Sequence, residues 1–190
     1  MLTDAITKMD LLILNWIQEH LRCGVLDRVL PFITSLADKG WLFIVLAIVF
    51  LCIPKYRKWG ACLAVSLGLG LLFGNMMIKN IVERTRPYDI TEGMRELLLV
   101  KPLSDFSFPS GHTLAAFEFL AVICMMPIKR IYKVLAGILA FTIAFSRLYL
   151  YVHFPTDVLA GMLLGTLFGV MGVRIVDMIM EERKEKMTDN

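Results

Sequence analysis

The chain has 190 residues, 57% of them hydrophobic and 19% charged, with a formal net charge of +3. Soluble domains carry about a quarter charged residues, so this composition excludes an ordinary water-soluble protein and predicts an integral membrane one. So small a net charge gives no reason to expect a nucleic-acid partner. Cys23, Cys52, Cys62 and Cys124 form no CxxC pair and have no His at metal-ligand spacing, so they read as small apolar residues of helices.

In chain order, residues 1–38 come first and mix apolar positions with Asp10, Glu19, His20, Arg22, Asp27 and Arg28. The opening "MLTDAITKMD" has neither a basic n-region nor a cleavage-site pattern, so it reads as part of the domain. Leu11, Leu12, Leu14, Ile17 and Leu21 recur at helical spacing. One or two amphipathic helices are expected, broken near Gly24. They either lie at the membrane interface or add a sixth span at the cost of buried charge.

Five apolar segments follow: Trp41–Ile53, Ala61–Ile78, Thr113–Ile128, Ile131–Leu148 and Val158–Val176. Crossing the hydrocarbon core takes about 20 helical residues. The last four segments approach that length, and the first must borrow flanking residues between Lys39 and Tyr56. The predicted fold is all-α: a polytopic transmembrane helical bundle of five spans plus the N-terminal amphipathic or sixth segment. Residues 1–190 form one domain, with an interfacial segment 1–38 and a loop 79–111 carrying part of a site.

Three basic stretches set the orientation. "PKYRKWG" (Pro54–Gly60), "KRIYK" (Lys129–Lys133) and the polar tail fall after the first, third and fifth spans. By the positive-inside rule they face the cytoplasm, which puts residues 79–110 and the turn near His153 on the outer face.

That outer face gathers the polar residues. The second span ends in "KNIVERTRP", with Lys79, Arg84 and Arg86; the third opens with "PSGH", Pro109 to His112; the fourth ends in "SRLYLYVHFPTD", with Ser146, Arg147, His153 and Asp157. Three cations suit a multiply charged anion, and arginine's planar fork suits phosphate. Ser110 and the bare Gly111 amide stand at a helix N-terminus, which favours an anion. Two histidines allow a nucleophile and a general acid near neutral pH. Asp157, four residues after His153, is placed to reach back to one imidazole nitrogen and orient the ring.

Taken together, K-x6-R-P, P-S-G-H and S-R-x5-H-x3-D resemble the three-part signature of the type 2 phosphatidic acid phosphatase superfamily, which holds membrane lipid phosphatases and soluble haloperoxidases. The resemblance runs from Lys79 to Asp157, and every motif position is filled. It implies that His153 attacks phosphorus to form a phosphohistidine, that Asp157 orients it, and that His112 protonates the leaving group and then activates water. It also implies that Lys79, Arg86, Arg147, Ser110 and the Gly111 amide hold the phosphate oxygens, with no metal or other cofactor. The expected activity is hydrolysis of a lipid phosphate or pyrophosphate in the plasma membrane, undecaprenyl pyrophosphate first. Phosphatidylglycerophosphate, phosphatidate and lipid phosphotransfer are the alternatives.

Some residues stay outside these roles. Arg84 reads as a headgroup contact or an aid to substrate attraction, and Ser146 as a brace for Arg147 or a substrate contact. Glu118, inside the third span, is an intramembrane carboxyl with either an auxiliary role or a structural partner such as Asn75. Tyr88 and Met94–Val100 read as a lip over the bilayer or a simple cover.

Overall fold

The computed structural model describes residues 2–188, and every regular element among them is helical. Helices α1 (Leu2–His20) and α2 (Gly24–Leu36) form the N-terminal segment, with the break beside Gly24. A tight turn at 37–40 leads into α3 (Trp41–Cys52). There Lys39 and Gly40 both take left-handed backbone, φ 51° and 74°. Glycine enters that region without a Cβ clash, which lets the chain reverse sharply.

The next helix, α4 (Arg57–Leu69), runs through a π-helical stretch, Gly70–Ile78, into α5 (Lys79–Val82). A single turn, α6 (Pro87–Ile90), lies in the loop that follows. Three further helices complete the chain: α7 (Gly111–Met125), α8 (Arg130–Tyr149) and α9 (Pro155–Thr188).

Among the described residues, four helical stretches are long and apolar enough to cross a membrane: Gly24–Cys52, Pro54–Ile90, Arg130–Tyr149 and Pro155–Lys186. Gly111–Met125 is apolar but shorter, at 15 residues. The first expected span corresponds to α3; the stretch Gly24–Cys52 reaches membrane length only by including α2, from which the turn at 37–40 divides α3. The third expected span is the short helix α7. Helices α3, α4, α8 and α9 all pack on α7, and it is buried from Thr113 to Phe119 without interruption. Protein, not lipid, is its surroundings, so its length need not match the bilayer by itself.

The periphery is apolar. Leu159, Leu163, Leu167 and Met171 make an exposed stripe along α9, and Ile131, Leu135, Ile138 and Phe141 make another along α8. Stripes at this spacing, turned outward over a packed interior, are the surface of a multi-pass membrane protein.

The tightest contact is between α7 and α9. Gly161, Gly165 and Gly169 recur every fourth residue on α9, a small-residue stripe that lets two backbones approach. A Cβ at Gly165 would stand 2.4 Å from the Leu114 carbonyl oxygen, and backbone cannot swing away. Gly165→Ala is therefore expected to destabilise the detergent-solubilised protein by about 1–3 kcal/mol. Gly68→Ala, which meets nothing within 4 Å, is the control. Equal unfolding midpoints for the two variants would refute the packing argument.

Antiparallel alternation then decides where the motifs meet. The end of α5, the starts of α7 and α9, the end of α8 and the α2–α3 turn share one end of the bundle. At the opposite end Lys58 of α4 pairs with Asp177 of α9 at 2.7 Å.

Candidate active site

The three motifs converge. His153 is buried, and its Nδ1 lies 2.8 Å from the Ser107 carbonyl oxygen. A carbonyl can only accept, so Nδ1 carries the proton and Nε2 holds the lone pair. Burial and the charges of Arg86, Arg147 and Lys79 hold His153 well below the usual imidazole range. The ring is thus neutral at neutral pH, the state a nitrogen nucleophile needs.

Asp157 orients this ring less directly than its spacing suggests. Its Oδ2 is 3.7 Å from His153 Nδ1, beyond hydrogen-bond reach. Oδ2 instead accepts from the Phe154 amide at 2.9 Å and from the Ser107 hydroxyl. The first of these is a helix cap: Asp157 is the third residue of α9 and reaches back to the residue before the helix. The cap turns the carboxylate toward Ser107, and Ser107 passes the constraint on to His153 through its own carbonyl. Ser107 carries no motif signal and escapes a reading of the sequence.

Arg86 has five N–H donors, and the protein uses them all. They go to the Asp105 carbonyl at 2.8 Å, Asp105 Oδ1 at 2.7 Å, the Phe106 carbonyl at 3.2 Å, the Val152 carbonyl at 2.7 Å and His153 Nε2 at 3.2 Å. Lys79 Nζ donates to Asp105 Oδ2 at 2.5 Å. Asp105 is thus an internal carboxylate seated on two of the expected phosphate-binding cations. Burial opposes its charge, but the Lys79 hydrogen bond and the Lys79 and Arg86 charges win and hold it down to about 2.

Arg147 has the opposite problem. It is 2% exposed, and the one hydrogen bond of its guanidinium among the described residues runs from Nη1 to Thr34 Oγ1 at 2.6 Å. Its Nε has no partner among the described residues. A buried guanidinium without a counter-ion is costly unless an anion arrives.

At the start of α7, Ser110 is buried, with its hydroxyl against Thr113 Oγ1 at 2.9 Å and its amide on the Asp157 carbonyl at 3.1 Å. No side chain caps this helix, which leaves the first-turn amides near Gly111 available to an anion. His112, one residue on, places Nε2 2.8 Å from Asp38 Oδ1.

Arg84, read from the sequence as a headgroup or substrate-attraction residue, faces away from the cavity. It donates to Thr156 Oγ1 at 2.7 Å, Asp157 Oδ1 at 2.6 Å and Asp10 Oδ2 at 2.8 Å, and stacks on Phe154 at 3.9 Å. Arg84 and Arg86 thus go to different partners. Ser146 gives its hydroxyl to the Ile143 carbonyl at 2.6 Å, so the brace on Arg147 is Thr34. Tyr88 holds the loop: its hydroxyl meets both the carbonyl and the amide of Leu103 at 2.9 Å, and Met94, Leu98 and Val100 pack against its cluster.

A cavity of about 750 Å³ opens among the expected site residues, although Arg147, Ser110 and Asp157 are not part of its lining. Lys79, Arg86, Asp105, His112 and His153 line its polar end, and Ile44, Leu67, Leu71, Leu114 and Ala115 its apolar wall. Glu118 also lines it, six residues past His112 and hence about 9 Å farther along the helix axis. Its Oε1 has no partner among the described residues, and Asn75, a candidate partner, donates instead toward the Gly70 carbonyl at 3.5 Å.

The lowered His153 sets a pH expectation. If His153 acts as the nucleophile its neutral form reacts, so kcat/KM should fall on acidification only at a pH well below the ordinary histidine value of about 6.5. The same sign applies to stability: the buried neutral ring favours the fold above that pH and loses the advantage as pH drops toward its folded value. A pH–rate profile with an acid limb at or above the ordinary value would contradict this geometry.

Comparison with known proteins agrees with the geometry. Phosphatidylglycerophosphatase B of Bacillus subtilis (strain 168) is 34% identical over 153 residues, covering 75% of this chain and 71% of that protein. An undecaprenyl-diphosphatase of Sulfolobus acidocaldarius is 31% identical over 137 residues, covering 72% of this chain and 65% of that protein. The crystal structure of Aquifex aeolicus LpxE superposes with a TM-score of 0.77 at 28% identity, covering 87% of this chain and 95% of that one. The model of the PAP2 superfamily matches residues 59–181, which hold all three motifs, and the chain belongs to that superfamily.

Proposed function

We propose that this protein is a membrane lipid phosphatase that removes the terminal phosphate of a lipid phosphate or diphosphate through a phosphohistidine on His153. The observation that carries the reading is the meeting of Lys79, Arg86, His112 and His153 at the polar end of an apolar-walled cavity, with the buried Arg147 guanidinium, unpartnered at Nε among the described residues, near enough for its charge to act on both histidines. Such a cavity suits a phosphate head with a hydrocarbon tail.

The substrate phosphate takes Lys79 and Arg86 over from Asp105, which frees His153 Nε2 from its contact with Arg86. Arg147 and the first-turn amides of α7 neutralise the remaining oxygens. The Nε2 lone pair forms the N–P bond while the bond to the leaving oxygen breaks, and that oxygen takes a proton from His112. Water then attacks phosphorus and gives its proton to His112. The P–N bond breaks and its electron pair returns to Nε2. Positive side chains carry the charge stabilisation, so no metal is required in this scheme.

Undecaprenyl pyrophosphate is the first-choice substrate, and the undecaprenyl-diphosphatase relative supports it. The Bacillus relative supports phosphatidylglycerophosphate as the second. The site opens at the extracytoplasmic face of the plasma membrane in this reading, supported by the basic turns at the other end of the bundle. Phosphate release from micellar undecaprenyl pyrophosphate, phosphatidylglycerophosphate and phosphatidate, with and without EDTA, tests the proposal. The expected result is fastest release from the first, unchanged by EDTA. No release from any of the three would overturn it.

A further inference from the structure

The N-terminal 58 residues lie outside the segment matched to the family, 59–181, yet they reach into the site at three points. Asp10 of α1 accepts from Arg84, which holds Asp157. Thr34 of α2 accepts from Arg147. Asp38, in the α2–α3 turn, meets His112. The first two brace groups that are themselves braced elsewhere or await an anion. The third touches a residue with a proton to move.

We propose that Asp38 is the positioning residue of the acid–base histidine, His112; the proposal rests on the reading of His112 given above. Asp38 Oδ1 is 2.8 Å from His112 Nε2. A carboxylate accepts only, so Nε2 carries a proton and Nδ1 is the nitrogen left to exchange one with the leaving oxygen and then with water. The turn makes this contact possible. Lys39 and Gly40, both left-handed, fold the chain back immediately after Asp38 and set it over the start of α7.

Charge explains why a carboxylate stands here. Asp38 is 60% exposed at the mouth of a cavity meant for an anion, where an unpaired negative charge would repel substrate. Facing His112 are Asp38 from the α2–α3 turn, Arg147 from α8, and Arg86 of the loop after α5. Lys79, Asp105 and His153 line the same polar end, with Glu118 deeper on α7. The cations in this set oppose protonation of the ring. Asp38 is the one carboxylate within 4 Å of it among the described residues, and supports the imidazolium that must form before the leaving group is protonated.

The test compares Asp38→Asn, Asp38→Glu, His112→Ala and the double variant Asp38→Asn/His112→Ala. The assay is phosphate release from dioctanoyl phosphatidate or farnesyl diphosphate in detergent micelles, whichever turns over faster. Asp38→Asn is expected to lower kcat about 10- to 100-fold, part of the 10²–10⁴ that general acid–base catalysis contributes. KM should change far less. The basic limb of the kcat profile should move to lower pH, since the acid form of His112 loses its support, and Asp38→Glu should restore both. In the His112→Ala background Asp38→Asn should cost nothing further. Additive losses, or a lowered kcat with an unmoved basic limb, would overturn the proposal. Full activity of His112→Ala would instead overturn the reading of His112 and leave the two failures distinguishable.

Discussion

His153→Ala lowers phosphate release by about 10⁴-fold or more while the protein still binds vanadate, a phosphate-shaped anion. The magnitude follows from removing a nucleophile: what survives is the positioning and charge stabilisation of the remaining site. The fold should survive as well. His153 takes part in two side-chain contacts beyond its neighbours, with Ser107 and Arg86, and each of those residues has other partners. Acid-labile phosphate trapped on the wild-type protein during turnover, and absent from His153→Ala, checks the covalent step. Turnover within tenfold of wild type would move the nucleophile elsewhere.

The second large effect is at Arg147. Arg147→Met should lose about 10²–10³ in kcat/KM, the scale of one preorganised charge contact to the reacting group. Its effect on the phosphate-free protein should run the other way. A buried guanidinium with one hydrogen bond and an unpartnered Nε burdens the free fold, so an apolar side chain of similar length raises the unfolding midpoint. Arg147→Lys should recover little activity, because an ammonium has no planar fork to hold Thr34 and a phosphate oxygen together. A variant that is both less stable and fully active would remove Arg147 from the phosphate site. Gain of stability with loss of activity is the mark of a group kept for its ligand.

Asp105 connects the two effects. It occupies Lys79 and Arg86 in the free protein and stays charged well into acid. In the proposed reading substrate therefore arrives at a site where two cations are masked and one, Arg147, has no ion-pair partner among the described residues. In the proposed reaction Arg147 supplies the attraction that lets a phosphate compete for the other two. It stands buried behind the polar end, where Coulomb attraction is screened less than at a surface.

Much of this was legible in the sequence. Composition and apolar run lengths require a helical membrane protein, because a bilayer admits only structures that satisfy their own backbone. The order and spacing of Lys79 to Arg86, Pro109 to His112 and Arg147 to Asp157 require three helix ends at one face, since each run ends or begins an apolar segment. Two histidines and three cations on that shared face suit phosphoryl chemistry by residue type, and the proposed assignment of His153 as nucleophile and His112 as acid comes from the family resemblance.

Only the tertiary structure decided who holds whom. The four-residue step from His153 to Asp157 suggests a direct contact, but the cap at the start of α9 turns Asp157 away and makes Ser107 the intermediary. Arg84 and Arg86, two residues apart, part company: Arg84 goes to Asp10 and Asp157, Arg86 to Asp105 and His153. Asp10, Thr34 and Asp38 lie 70 or more residues from the groups they touch, in a segment whose charges look interfacial when read alone. Local pattern reports periodicity and helix ends within a few residues. Contacts across such separations depend on how α1 and α2 pack against α8 and α9, and that packing is a property of the whole bundle.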